Sequence, residues 1–174
     1  MPSPRDMDNE VGKAISAFKS GRPVMIYDSD YREMETDLLW HAAAATPEVI
    51  RRLRNDCGGL LFLAIGNEIG EMFGLPWLQD IHSHESLVEE NPVLGHLITN
   101  DLQYDSRSAF TLSLNHRETY TGITDRDRSL TTRRFGELSR ELIEKGEDGA
   151  RAKESLGKEF RTPGHIPVCR ESPG

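Results

Sequence analysis

Hydrophobic positions along the chain fall into short runs and stripes that alternate between helical and strand spacing. Val11, Ile15 and Phe18 recur on one helical face, with Asp8 or Asn9 placed to cap the helix and Gly21 to stop it. Pro23–Tyr27 is an apolar run that predicts a buried strand, and Leu38–Ala45 predicts a second. Thr46-Pro47-Glu48 predicts a helix start, with Thr as N-cap and Pro at the first helical position. That helix presents Val49, Ile50 and Leu53 and ends before Gly58-Gly59. Leu60–Ile65 predicts another strand, and Glu68–Phe73 a short helix ending at Gly74.

Beyond this point the pattern weakens. His82–Tyr104 is polar without clear periodicity and is read as a long surface excursion. Ala109–Leu114 alternates, with Phe110, Leu112 and Leu114 on one face, and Thr119–Ile123 is the expected hairpin partner. Leu130, Phe135, Leu138 and Leu142 form a helical stripe, while Lys145–Gly157 is charged, Gly-rich and read as a mobile connection. Phe160–Val168 reads as a turn leading into a strand. Interleaved strands and helices predict an α/β (α+β) domain.

Composition narrows the function without naming it. At 174 residues the chain fits one domain with one substantial core. A net charge of −8 argues against a bulk electrostatic grip on nucleic acid or an anionic membrane. A phosphorylated small molecule remains compatible, because a local Arg and N–H cluster can hold it. The longest apolar run, Leu60–Ile65, is too short to span a bilayer, and the N-terminal residues have no apolar stretch behind them to serve as a signal peptide. Cys57 and Cys169 lack zinc-type or redox-type spacing, so a reducing cytoplasm is the expectation.

Three segments can carry chemistry. In Asp28–Asp37, five of ten residues are acidic, an oxygen-rich stretch suited to Mg²⁺ or Mn²⁺. If extended, it points Glu33, Glu35 and Asp37 one way and Arg32 the other. The same stretch also reads as a solvated acidic turn, with Asp28 and Asp30 satisfying backbone donors. In Thr119–Arg128, hydroxyls and a glycine turn precede a helix and can offer donors to a phosphate, with Arg126 and Arg128 adding charge. An ordinary helix start capped by Asp125 or Asp127 explains that segment equally well. In Arg161–His165, His165 follows a Pro-Gly turn and can act as general acid or base, or be merely structural.

The wording and order of these segments carry a resemblance. Asp28-Ser29-Asp30-Tyr31-Arg32-Glu33-Met34-Glu35-Thr36-Asp37 is similar to the signature D-x-x-x-R-E-x-E-x-D of the 3,4-dihydroxy-2-butanone 4-phosphate synthases. Asn55–Leu60, Phe110–Arg117, Thr121–Arg128 and Phe160–His165 resemble further segments of that family in the same order, with an archaeal flavour. The resemblance implies a single α/β domain built around a mixed sheet flanked by helices. It implies conversion of D-ribulose 5-phosphate to L-3,4-dihydroxy-2-butanone 4-phosphate and formate in riboflavin biosynthesis. It also implies a cytoplasmic homodimer with sites near the subunit interface.

Carried over by position, Glu33 aligns with the metal ligand for Mg²⁺ or Mn²⁺ and with a substrate contact. Arg32 and Asp37 align with substrate-binding positions, and Thr124 with a hydroxyl near the sugar phosphate. Asp28 and Glu35 align with acidic groups of the catalytic site, and His165 with a histidine needed for turnover. Two departures accompany the resemblance. Met34 stands where the family carries glycine between the two glutamates. The family also continues with an R-x-x-G-H-T-E segment that supplies a metal-binding histidine and phosphate-binding Arg and Thr, followed by a catalytic glutamate. No segment here matches them, and His82, His84 and His96 show no ligand spacing. The expectation is therefore a single domain over residues 1–174 lacking the family's C-terminal part. An inactive short form that binds or pairs with a complete homologue is the alternative. A Mn²⁺-dependent sugar-nucleotide transferase built on Asp28 and Asp30 is a third reading.

Overall fold

A computed structural model describes residues 4–98, 101–147 and 149–173, so residues 1–3, 99–100, 148 and 174 lie outside the account. Helix α1 (Pro4–Lys19) begins well before Asp8 and Asn9, which therefore do not cap it. Strands β1 (Val24–Tyr27) and β2 (Thr36–Leu39) pair antiparallel with Tyr27 opposite Thr36. The acidic segment is thus the loop of a hairpin. The expected longer second strand stops at Leu39 because the chain turns into a 3₁₀ turn at Ala42–Ala44, capped by the His41 ring accepting from the Ala43 N–H.

Helix α2 (Pro47–Asp56) starts as its sequence requires, with the Thr46 hydroxyl accepting from Val49 N–H and Pro47 in the first turn. Strand β3 (Leu63–Ile65) is shorter than its apolar run. Helix α3 (Asn67–Phe73) ends at Gly74 as anticipated. The polar excursion is not structureless: it holds α4 (Leu78–His82), α5 (Glu85–Glu90) and α6 (Val93–Leu97). Each is too short for periodicity to show.

Strand β4 (Phe110–His116) pairs antiparallel with β5 (Phe160–Arg170), and β3 pairs parallel with β5 on its other side. The result is a mixed three-stranded sheet in the order β3-β5-β4, separate from the β1–β2 hairpin. Thr119–Ile123 is a loop rather than the partner of β4. Between the two partners lie helix α7 (Asp125–Lys145) and helix α8 (Gly149–Glu159). The expected mobile connection is largely α8, whose Ala152 is completely buried and whose Leu156 packs on the core. One apolar residue per turn was enough to dock it.

The core lies between the sheet and α7, α8 and α3. Leu114, Ile166 and Val168 from the strands meet Phe135, Leu138 and Leu142 of α7, with Phe73 and Phe160 against the Phe135 ring. At the far end of β5, buried Arg170 donates to Asn67 Oδ1, to the Leu75 carbonyl and to Glu71, and its guanidinium lies over Trp77. This buried cation is satisfied by oxygens from α3 and the following loop, which pins them to the sheet. The architecture is α+β, as the interleaved pattern implied. Among the described residues, no helix is long and apolar enough to cross a membrane.

Candidate active site

The acidic loop is folded by Asp28. Its carboxylate accepts from the backbone N–H groups of Ser29 at 2.6 Å, Glu33 at 2.8 Å and Glu35 at 3.1 Å, while Asp28 N–H donates to the Glu35 carbonyl at 3.2 Å. Partial burial works to raise the Asp28 pKa, but these three donors and nearby Arg32 outweigh it and hold the carboxyl below its ordinary value. Asp30 is likewise engaged, accepting from the Tyr27 hydroxyl at 2.6 Å. Asp28 and Asp30 thus serve the loop's own donors.

That wrapping leaves the side chains of Glu33, Glu35 and Asp37 exposed on the hairpin. Glu33 pushes the Glu35 pKa up most, followed by desolvation and the charges of Asp37 and Asp28. The loop therefore concentrates negative charge at its rim. Arg32 donates to Asp105 Oδ2 at 2.8 Å, tying the loop to the segment before β4. Asp105 carried no signal in the sequence, because only the tertiary fold brings it beside Arg32.

Met34 lies between the two glutamates at φ 54°, a left-handed conformation rarely adopted by residues with a Cβ. The glycine expected there has a geometric reason.

A second cluster forms where β5 is interrupted. Pairing passes from Leu114 opposite Ile166 directly to Asn115 opposite Arg161, so residues 162–165 bulge from the ladder. The Thr162–Pro163 bond is cis. Gly164 lies so close to β4 that a Cβ there would sit 1.9 Å from the Leu114 carbonyl carbon. Its N–H donates to Ser113 Oγ at 3.1 Å. His165 follows with an exposed side chain, its backbone N–H donating to buried Asn115 Oδ1 at 2.8 Å.

The Thr119–Arg128 segment joins this cluster. Gly122, at φ 89°, packs on Asn115 so closely that a Cβ would fall 2.2 Å from its amide nitrogen. Thr124, rather than Asp125 or Asp127, is the N-cap of α7, accepting from Asp127 N–H. Asp127 turns back and accepts from the N–H groups of Tyr120 at 3.3 Å, Thr121 at 3.1 Å and Gly122 at 2.9 Å. Donors that would have entered a hairpin ladder end on one carboxylate, which is why this segment is a loop. The Thr-x-x-Asp spacing of a capping box was the available signal for Asp127. Asp125 forms a two-pronged ion pair with Arg54 at 3.1 and 3.2 Å. Arg126 is exposed, and Arg128 has a buried Nε with no hydrogen-bond partner among the described residues.

The fold thus unites His165, Asn115 and the loop leading to Thr124. Glu33, Glu35, Asp37 and Arg32 stand on the hairpin. Among the described residues, no hydrogen bond or ion pair links the two groups, and none of their His, Cys, Asp and Glu residues gather in threes to hold a metal ion. The hairpin pair nevertheless fits a hard divalent ion of the Mg²⁺ type, which is commonly bound through one or two carboxylates while keeping water and substrate oxygens.

The 3,4-dihydroxy-2-butanone 4-phosphate synthase family model matches residues 12–174. A synthase of that name from Methanothermobacter thermautotrophicus is 41% identical over 164 residues, covering 94% of this chain and 67% of the relative. Its counterpart from Archaeoglobus fulgidus is 41% identical over 160 residues, covering 91% of this chain and 63% of the relative. A crystal structure of a 3,4-dihydroxy-2-butanone 4-phosphate synthase in complex with two magnesium ions superposes with TM-score 0.62 at 25% identity, over 93% of this chain and 60% of that one. The chain spans about two thirds of the length of these archaeal relatives.

Proposed function

The chain belongs to the 3,4-dihydroxy-2-butanone 4-phosphate synthase family, and on that premise we propose that it acts in riboflavin biosynthesis, converting D-ribulose 5-phosphate to L-3,4-dihydroxy-2-butanone 4-phosphate and formate. The observation that carries this reading is the hairpin loop in which one buried-side carboxylate, Asp28, collects three backbone donors and turns Glu33 and Glu35 outward as a mutually repelling pair. A divalent cation relieves that repulsion. Glu33 is the proposed ligand, with Mg²⁺ or Mn²⁺ as the ion; the magnesium ions bound by the structural relative support the first. When bound, the ion supplies Lewis-acid polarisation of the ketose oxygens.

The remaining roles belong to side chains of this chain. Glu35, whose proton affinity is raised by its neighbours, and His165 exchange protons with the substrate carbons and hydroxyls. Asp28 contributes as the residue that sets the loop, and Arg32 and Asp37 as substrate contacts. The Thr124 hydroxyl is the proposed donor to the phosphate; its position as N-cap of α7, where the helix dipole favours an anion, supports that reading. The skeletal rearrangement balances: the five-carbon sugar phosphate yields the four-carbon phosphate and one carbon as formate.

A cytoplasmic homodimer is part of the proposal. Met25, 73% exposed, and Ile26, 53% exposed, with Val11 and Ile15 of α1, offer apolar surface that a partner subunit covers. The two free thiols fit a reducing compartment.

The test is calorimetric titration of ribulose 5-phosphate with and without Mg²⁺ on the chain and on Glu33→Gln, alongside formate release. Glu33→Gln is expected to weaken Mg²⁺-dependent binding by about 10-fold or more, with an unchanged melting curve because the side chain is exposed. Equal binding by both proteins would remove Glu33 from the metal site.

A further inference from the structure

We propose that Asn115 is a positioning residue that sets the tautomer of His165, leaving Nδ1 bare and placing the ring proton on Nε2, the nitrogen offered to substrate. The functional part of this inference rests on the role given to His165 above; the structural part does not.

The identity of one donor is beyond choice. A backbone N–H can only donate, and that of His165 lies 2.8 Å from Asn115 Oδ1. The opposite amide orientation would set an NH₂ group against that N–H. The oxygen of Asn115 is therefore fixed on the backbone side and spent on that N–H, at 3.3 Å from His165 Nδ1. Nδ2 lies 3.1 Å from His165 Nδ1. The NH₂ group is the nearer of the two and only donates, while Oδ1 already accepts the backbone N–H, so the pair favours an accepting Nδ1; a neutral imidazole that accepts at Nδ1 carries its proton at Nε2.

The amide cannot easily swing away. Asn115 is 4% exposed, and Gly122 packs against it with no room for a Cβ. Its two neighbours come from segments about 50 and seven residues further along the chain: the bulge of β5 and the loop before α7. Asn115 thus joins the three chain segments of this cluster. General acid–base transfer depends on which nitrogen holds the proton, so an unbiased ring would spend part of its time in the wrong form.

The decisive measurement is long-range ¹H–¹⁵N correlation on protein with ¹⁵N-labelled histidine at alkaline pH. The resonance is assigned by its loss in His165→Gln, since the chain has six histidines. The unaltered chain is expected to show Nδ1 as the bare nitrogen and Nε2 as the protonated one. In Asn115→Asp the carboxylate still accepts from the backbone N–H. It cannot donate to the ring, so Nδ1 takes the proton and the tautomer reverses. Turnover should fall about 100-fold in kcat with a smaller change in KM.

A bare Nε2 in the unaltered chain overturns the proposal even if no variant folds. An unchanged tautomer in a folded Asn115→Asp overturns it equally. Neither spectrum requires turnover, so failure of formate production counts against the proposed function and leaves this inference to be decided separately.

Discussion

Met34→Gly tests whether the hairpin loop is strained where its sequence departs from the family. Met34 is held at φ 54° with its side chain 66% exposed, so substitution sacrifices little burial. A left-handed conformation costs an L-residue about 1–2 kcal/mol. Glycine escapes that cost but gives up about 0.4–1 kcal/mol through the larger entropy of its unfolded chain. The difference makes Met34→Gly stabilising by about 0.8 kcal/mol, or roughly 2–3 °C in Tm for a domain of this size. Met34→Ala retains the Cβ and should remain within about 0.5 kcal/mol of the starting chain. Met34→Val adds β-branching at positive φ and should lose at least about 1 kcal/mol. Urea unfolding followed by far-ultraviolet circular dichroism reads all three. The order expected is glycine above methionine and alanine, with valine last. A glycine variant weaker than the starting chain by 1 kcal/mol, or a valine variant equal to it, would refute the strain argument.

Three further predictions concern the second cluster. Asp127→Ala removes the acceptor of three backbone N–H groups and should destabilise the chain by about 2–3 kcal/mol in the same unfolding assay. Burial works to raise the Asp127 pKa, but those donors and Thr124 outweigh it, so the folded group binds its proton less readily than the unfolded one. Its contribution is therefore complete above the ordinary value of about 4 and is lost as pH falls through the lower folded value. Asp127→Asn, which cannot titrate, should flatten the stability-versus-pH curve below about pH 4; an identical acid slope in both proteins would contradict this. Gly164→Ala places a methyl 1.9 Å from the Leu114 carbonyl carbon, where the obstruction is backbone and cannot rotate aside. A loss of about 3 kcal/mol or more is expected, and near-neutral stability would show that the bulge is not held against β4 in solution.

Local chemistry made much of the chain readable. Thr46-Pro47 announced α2 because a hydroxyl cap and a residue lacking N–H suit the first helical turn wherever it lies. Gly74 announced the end of α3 for a similar reason, and the stripe of Phe135, Leu138 and Leu142 gave the buried face of α7. Where the pattern misled, a longer-range partner had intervened. Thr119–Ile123 alternates enough to suggest a strand, yet Asp127 gathers its N–H groups. The charged run before β5 folds as α8 because Ala152 and Leu156 find a core already assembled by residues far away.

By itself, the order of motifs determined the family resemblance and the interleaved strand and helix patterns the α+β class, and the resemblance in turn named Arg32, Glu33, Glu35, Asp37, Thr124 and His165 as candidates. The need for glycine at position 34 was also legible. Tertiary structure decided which groups are spent on holding the backbone and which remain at the surface. Asp28 lies in an acidic run and Asp127 between two arginines; local spacing offered a backbone-capping reading of both, but not that each would gather three N–H donors. Asn115 is one polar residue in an ordinary strand, and its importance arises from the two segments that close on it. A hydrogen bond needs both partners within about 3 Å, and for residues 50 apart in sequence that proximity is supplied only by the folded sheet.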